Sequence, residues 1–492
     1  MSAVAQDRPD PEAGHADQGT HQLPPKPEPM PPNPGLRRRI ARGLRSSLDM
    51  VHEASFTLGG VGRHPCPQLP TMRITHLYTV REPELIREVL VERSADFPKS
   101  RLMQTMLGDL IGSSVFVTNG ETWRWRRAIV DQALEQARVR EVMALMRGAA
   151  DDLIIRIDQA IDEAERCGRD GAGAVIRIDA EMTHFAADVI FRTLFSEPVE
   201  PRVAARIIAE FEIYQKLAYS HGILKLARVP TILMPSSWRR RLAAMRIRGA
   251  LKQQLDRRLK AIAAGDPTPD GDIVATLITG QDPKTGRRMD RKDLIDEVCM
   301  FFLAGHETSA SGLGWALYLL AVDQQTQEAL RREAGEVLGE RAPEFRDMRA
   351  LEKTRDVFRE ALRLYPPVAQ LARDSACPAR MADRDVSAGE VVFATPWLMH
   401  RQGRFWSDPD AFCPGRFATE AGREAARQVY FPFSMGPRVC PGAAFALQEA
   451  SLALAMLMRR FRFDPIEGRV PRPVARLTLR SANGVWLRAR RV

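Results

Sequence analysis

The stretch Phe433-Ser434-Met435-Gly436-Pro437-Arg438-Val439-Cys440-Pro441-Gly442 governs how the rest of the chain is read. Glycines and prolines punctuate a tight loop, and an apolar run from about Ala443 to Arg459 and Arg460 predicts a helix directly behind it. Cys440 then sits just before a helix N-terminus, where free backbone N–H groups and the helix dipole favour a thiolate over a thiol. An activated sulfur in that place is a nucleophile, a redox thiol or a metal ligand, and nothing in the loop alone chooses among the three.

Upstream of the loop, Glu360-Ala361-Leu362-Arg363-Leu364-Tyr365-Pro366-Pro367 ends a helix, because the two prolines stop it. Short strand-like runs surround 368–373, 385–397 and 474–488, with Asn483-Gly484 as a two-residue hairpin signal between the last two runs. The longest predicted helix runs from Asp290 to about Val322, with Asp290 as N-cap and Asp293 near its start. Leu294, Val298, Phe301, Phe302 and Gly305 share one face. The centre of this helix breaks local rules. Gly305-His306-Glu307-Thr308-Ser309 places a glycine, an acid and two hydroxyls in an apolar helix. The glycine costs about 1 kcal/mol against alanine, and a buried carboxylate needs a partner or a raised pKa. Such a stretch marks function or a helix bulge.

Nearer the N-terminus, residues 72–80 alternate as a strand and Pro83 to Leu90 turn helical. Residues 100–118 read as a loop with a short helix. Helical patterns follow from Glu121 through Trp123 and Arg127, then at about 136–165, 179–196 and 202–218. An apolar connection, Gly222 to Pro235, leads to an arginine-rich helix of about 236–263. Residues 1–36 hold nine prolines and few apolar side chains, so they predict a disordered tail before a single domain over 37–492. Residues 37–45 are a basic lead-in.

The chain has 492 residues, 45% apolar and 27% charged, with net charge +10. That is ordinary soluble composition, and no zinc-finger or basic-zipper spacing supports nucleic acid binding. The six cysteines (66, 167, 299, 377, 413, 440) are scattered without a CxxC pair. The pattern fits a reducing, cytoplasmic compartment rather than a disulfide framework. No run of about 20 apolar residues predicts a transmembrane anchor, and no apolar secretory core is present at the N-terminus.

Four patterns occur in order: Trp123-x-x-x-Arg127, Ala304-Gly305-x-Glu307-Thr308-Ser309, Glu360-x-x-Arg363, and Phe433-x-x-Gly436-x-Arg438-x-Cys440-x-Gly442. Together they closely resemble the cytochrome P-450 family of haem-thiolate monooxygenases, over about residues 45–492, in its bacterial soluble form. The resemblance implies a mainly α fold with small β-sheets, haem b lying between the long central helix and the helix behind the cysteine loop. It implies Cys440 as axial thiolate to the iron, with Gly436 and Gly442 allowing the tight loop and Phe433 covering the sulfur. Arg438, Arg373, Arg127 and Trp123 match the donors to the haem propionates. Glu360 and Arg363, joined by Arg416, match a buried structural group.

On the central helix the same resemblance assigns Thr308 and Glu307 to oxygen activation. Thr308 is the alcohol beside the bound dioxygen, Glu307 relays protons, and Ala304 and Gly305 let the backbone come close. His306 takes the variable position and reads as a bland helix residue. The implied reaction inserts one atom of O2 into a hydrophobic organic substrate; the alternatives are a peroxide-driven oxygenase and a haem-binding sensor without turnover. The substrate is expected against Met300, Leu303, Ala304, Val368 and Ala369, with help from 103–116, 210–230 and 478–485, and Gly222–Pro235 is a candidate lid. No flavin or iron–sulfur motif is evident, so electrons are expected from a separate ferredoxin with its reductase, or a flavodoxin. Arg124, Arg126, Arg423 and Arg427 are the expected basic docking patch for that donor.

Overall fold

The computed structural model describes residues 61–65, 76–135, 142–168, 173–198, 200–226, 234, 236–265 and 272–492. The tail, the basic lead-in and most of the Gly222–Pro235 connection lie outside the described residues.

The helices that position the site are α1 (Arg101–Ile111), α2 (Gly120–Ala133), α3 (Met143–Arg166), α4 (Ile178–Phe195), α5 (Pro201–Leu226), α6 (Ser236–Ala263), α7 (Arg291–Val322), α8 (Gln324–Leu338), α9 (Glu352–Leu364), α10 (Glu420–Val429) and α11 (Ala443–Arg460). The strands are β1 (Val61–Pro65), β2 (His76–Val80), β3 (Ala174–Arg177), β4 (Leu371–Asp374), β5 (Ala379–Met381), β6 (Arg384–Val386), β7 (Val391–Ala394), β8 (Phe461–Pro465), β9 (Pro473–Ala475), β10 (Leu479–Ser481) and β11 (Trp486–Arg491). They form a four-stranded sheet in the order β1-β2-β7-β4, a three-stranded sheet β3-β11-β8, and two small hairpins. This is the mainly α architecture with small sheets that the sequence predicts.

Helix α7 organises the rest. Its start is fixed by a capping box: the Asp290 side chain accepts from the Asp293 N–H, and the Asp293 side chain accepts from the Asp290 N–H. At 32 residues it is roughly 48 Å long. It is buried nearly all round and packs on α4, α9 and α11. Its residues Leu294 to Leu303 belong to one apolar core, shared with α1, α2, α5 and α6. Ala310 to Ala321 belong to a second, shared with α3, α4, α9 and α11. The changeover falls on 304–309, the stretch that breaks the apolar pattern. The helix stays α through it, so the bulge alternative is not realised.

Residues 101–111 are the short helix expected within 100–118, with Ser100 accepting from the Leu102 N–H as its cap. Of the helical run expected at about 136–165, helix is described over Met143–Arg166, and residues 136–141 lie outside the described residues. Asn483-Gly484 turns the chain, with Gly484 at φ 78°, but β10 and β11 do not pair with each other. β10 pairs with β9 and β11 with β3 and β8, so both hydrogen-bonding edges of β11 are already taken.

Candidate active site

The cysteine loop is shaped by its backbone. The Cys440 N–H donates to the Phe433 carbonyl at 2.9 Å, closing the loop on itself. Gly436 lies at φ 73°, and a Cβ there would stand 2.3 Å from the Leu90 carbonyl oxygen, so only glycine fits. Gly442 is different. It has ordinary helical-side φ, and a Cβ would meet the Cys440 sulfur at 3.9 Å, an easy contact. The tight-turn reason expected for both glycines therefore holds for Gly436 alone. Phe433 is half-buried against the core that holds α11.

Helix α11 starts at Ala443, as the sequence predicts. Cys440 is reachable by solvent, yet so much protein surrounds it that burial raises its thiol above the ordinary value. Both are true of a residue on the wall of an internal slot. The Gly442 N–H and the Arg127 charge pull the other way without winning. The helix terminus alone does not make the thiolate; a metal cation placed against the sulfur would.

Next to this loop stand four cations. Arg373, on β4, is buried; its Nη1 donates to the Ala372 carbonyl at 3.0 Å while its Nε has no partner. Arg438 donates from Nη1 to the Ser94 carbonyl at 2.7 Å, and its buried Nε is also unmatched. Arg127 donates to the Val439 carbonyl at 2.7 Å and to Asp131 at 2.6 Å. Lys99 donates to the Val115 carbonyl at 2.5 Å, and both Lys99 and Arg438 lie over the Trp123 ring, at 5.6 and 5.5 Å. Burial, then Arg438, Arg373 and Arg127, push Lys99 down to about 7. Burial and Arg438 push Arg373 down to about 10. Such crowding calls for an anion. A porphyrin with two carboxylates and a metal ligated by one sulfur fits this set: unmatched N–H donors for the carboxylates, a slot-wall sulfur for the iron. Lys99 has no place in the sequence motifs. It reaches the group through tertiary contact, including an isolated backbone bridge to Arg373.

On α7, Ala304, Gly305 and Thr308 are half-buried while Leu303, His306 and Glu307 are buried, so one strip of the helix opens inward. Thr308 donates from its hydroxyl to the Ala304 carbonyl at 2.6 Å. The missing Cβ of Gly305 faces Ile190 of α4, which it would meet at 2.8 Å. Close helix packing is thus the reason for this glycine, beside the approach to oxygen expected of it. His306 stacks on Phe302 and meets Phe211 edge to face, its Nδ1 2.6 Å from the Phe302 carbonyl, and burial brings it down to about 4. It is a neutral core residue, as expected.

Glu307 turns away from the strip. Buried to 1%, it accepts from Arg480 Nε at 2.6 Å, from a second Arg480 nitrogen, from the Thr478 hydroxyl and from the Gln215 amide. Burial is the largest single influence and would raise its pKa, but the Arg480 charge, His306 and the hydrogen bonds from Thr478 and Arg480 together hold it below the usual carboxylate range. None of these partners lies in a sequence motif. Ser309 donates to Glu449 of α11 at 2.6 Å; burial raises Glu449 to about 8.

The structural group forms as the resemblance implies. Glu360 and Arg363 are fully buried; Arg363 Nε donates to Glu360 at 2.7 Å and Arg416 Nε at 2.9 Å. The remaining Arg363 donors reach the carbonyls of His400, Pro409 and Ala411, so the charges are fully satisfied. Met300, Leu303 and Ala304 share a core with Met106, Phe191, Phe211 and Leu477, which brings 103–116 and 210–219 to the same wall. Ala369 sits in the other core, with Trp397 and Tyr365, and Val368 is half-buried beside it.

The expected docking patch does not survive. Arg126 is buried, paired with Asp293 and, at 2.8 Å, with Glu297 at the start of α7. Arg124 is exposed against Glu121; Arg423 and Arg427 are matched by Glu420 and Glu424. Spacing alone could not reveal that Arg126 points inward. Among the described residues, no helix is long and apolar enough to cross a membrane.

The family model described as Cytochrome P450 matches residues 69–486. Cyclooctatin synthase of Streptomyces melanosporofaciens is 32% identical, over 82% of this chain and 84% of its own length. Cyclooctat-9-en-7-ol 5-monooxygenase of the same organism is 30% identical, over 80% and 81%. The 11-oxo-beta-amyrin 30-oxidase of Glycyrrhiza uralensis is 29% identical, over 82% and 77%. The crystal structure of a cytochrome P450DA heme domain superposes with a TM-score of 0.78 at 20% identity, covering 96% of this chain and 97% of that one, and so shares the fold.

Proposed function

The chain belongs to the cytochrome P450 family, and from that premise we propose how its residues divide the work. It is a haem monooxygenase: one oxygen atom of O2 enters a hydrophobic organic substrate and the other becomes water. When bound, haem supplies the redox centre for that chemistry.

In our reading Cys440 is the axial sulfur. Arg373, Arg438, Arg127, Lys99 and Trp123 hold the propionates, and the observation that carries this is the crowd of cations with unmatched donors beside the cysteine loop. Phe433 and Gly436 keep the sulfur enclosed. Thr308 and Glu307 govern protons, the hydroxyl at the open strip and the carboxylate behind it. Met300, Leu303, Ala304, Val368 and Ala369 form the apolar wall that excludes water and orients the substrate.

The substrate class we favour is a bulky, largely hydrocarbon molecule with few oxygens, as the names of the cyclooctat-9-en-7-ol and 11-oxo-beta-amyrin enzymes carry. The apolar wall supports it. Electrons come from a separate ferredoxin or flavodoxin, and we place the enzyme in the cytoplasm, where scattered unpaired cysteines stay reduced.

Thr308→Ala tests the assignment of proton control. The variant is expected to bind substrate as before yet divert most electrons to hydrogen peroxide. An unchanged yield of product per electron contradicts it. Screening hydrocarbon alcohols for a shift of the main absorption band tests the substrate class; a response confined to small polar compounds rules it out.

A further inference from the structure

Arg240, on α6, is 2% exposed, and its Nε and Nη1 are buried with no hydrogen-bond partner. Among the described residues it is the one side chain with two buried polar atoms left unmatched. Its third nitrogen, Nη2, lies 2.6 Å from Asp109 of α1. A guanidinium out of water with open donors is costly, and an acceptor removes the cost. Arg240 stands where α6 packs on α5 and α1. The Tyr214 ring of α5 lies 5.9 Å from the guanidinium, and the Tyr214 hydroxyl donates to the Met106 carbonyl at 2.8 Å. From there an aromatic line leads back to α7: Tyr214 stacks on Phe211 at 6.5 Å, and Phe211 meets His306 at 4.7 Å. Met106, Phe211 and Tyr214 share a core with Met300, Leu303 and Ala304. Arg240 therefore ends the apolar wall assigned to the substrate, on the side away from α7.

We propose that Arg240 is the polar anchor of the substrate pocket, taking a neutral oxygen acceptor, a ketone or an alcohol, at the end of the substrate remote from the reacting carbon. The proposal rests on reading the substrate as a largely hydrocarbon molecule with few oxygens. Such an oxygen is hydrogen-bonded in water, and burying it against Met300, Leu303, Val368 and Ala369 alone would oppose binding. The open donors of Arg240 replace the bonds that water gave. One polar contact at the remote end also fixes which end enters first. It thereby selects the carbon that lies beside Ala304 and Thr308.

Charge and geometry both favour a neutral acceptor over a carboxylate. Asp109 already balances the buried guanidinium. Arg241 also reaches Asp109, at 3.7 Å, but it is 60% exposed and water screens it. His221 lies 3.1 Å from the Ser237 hydroxyl; burial, with the Arg240 charge next, brings it down to about 4, so it adds no cation near neutral pH. A carboxylate here would set two negative groups against one buried cation. Both two-pronged edges of a guanidinium include Nη2, which Asp109 engages. The open Nε and Nη1 therefore point apart and each suits a single oxygen rather than a bidentate carboxylate.

The test measures binding to the haem-loaded protein, read as the shift of its main absorption band, with three related probes: cyclododecane, cyclododecanone and cyclododecanecarboxylate. The ketone should bind roughly tenfold or more tighter than the hydrocarbon, and the carboxylate no tighter than the ketone. Arg240→Met keeps the length and removes the donors. It should bring ketone and hydrocarbon to within about twofold of each other, and Arg240→Lys should keep part of the preference. The ratio is taken within one variant, so a general loosening of the fold cancels. Asp109→Asn is the independent variant: with the balancing charge gone, preference should move toward the carboxylate by roughly tenfold. Equal binding of ketone and hydrocarbon in the wild type, or an unchanged ratio in Arg240→Met, overturns the anchor. An unmoved preference in Asp109→Asn, or a carboxylate that binds tightest in the wild type, overturns the neutral-acceptor assignment. A band that answers to small polar compounds and to none of the three probes overturns the hydrocarbon reading beneath the proposal.

Discussion

Arg127 donates from Nη1 to the Val439 carbonyl at 2.7 Å, so the residue before Cys440 is tied to the helix that carries Trp123. The same guanidinium gives its Nε to Asp131, one turn further on. One side chain thus couples the position of the sulfur to the wall of cations beside it. Two sequence patterns more than 300 residues apart are a single piece of structure.

That wall sets a pH dependence. Lys99 is held at about 7 in the fold, against 10.5 for an ordinary lysine. The unfolded chain therefore binds a proton that the folded chain does not, between about 7 and 10.5, and stability of the haem-free protein rises with pH across that window. Denaturant midpoints measured on the apoprotein from pH 7 to 10 should climb, and Lys99→Met should flatten the climb. Bound haem, whose carboxylates favour the charged lysine, should flatten it too. A pH-independent apoprotein would remove Lys99 from the cation group.

Gly436→Ala should cost on the order of 2 kcal/mol or more, because its φ of 73° and the 2.3 Å approach to Leu90 cannot both be kept. Gly442→Ala should be far milder, since its Cβ meets only the sulfur at 3.9 Å. Thermal unfolding and haem content of the two variants measured together decide the point. Equal losses would mean that the loop is not shaped by the Leu90 contact.

Glu360→Ala leaves Arg363 and Arg416 buried without their carboxylate. A loss of about 3–5 kcal/mol is expected, read as a lower denaturant midpoint. A loss below about 1 kcal/mol would place this group with surface ion pairs.

Much of this was legible in residue order. Asp290 and Asp293 announce the start of α7, Ala443 that of α11, and the prolines after Tyr365 the end of α9, because caps and breakers act within a few residues. Cys440, Glu360, Arg363 and Arg416 belong to patterns whose spacing survives in one dimension. Lys99 was invisible, and Gln215, Thr478 and Arg480 were anticipated only within the pocket stretches 210–230 and 478–485 and not as partners of Glu307, because their meaning lies in what they face, across sequence separations that no periodicity records. Arg126 was misplaced for the converse reason. An arginine between two others on a helix looks solvent-exposed until Asp293 and Glu297 are seen behind it. That Gly305 also makes room for Ile190 of α4 was likewise outside what its neighbours in sequence could tell.

The assignment on which everything else depends is the ligand. Cys440→Ser changes one atom on the slot wall and leaves the Gly436 turn and the Phe433 hydrogen bond in place. The decisive measurement is the absorption spectrum of the reduced protein under carbon monoxide, taken beside a folding control. The wild type is expected to show the band specific to a haem with a thiolate ligand, and the folded variant to lack it. A folded Cys440→Ser protein that keeps the band would contradict the account at its centre.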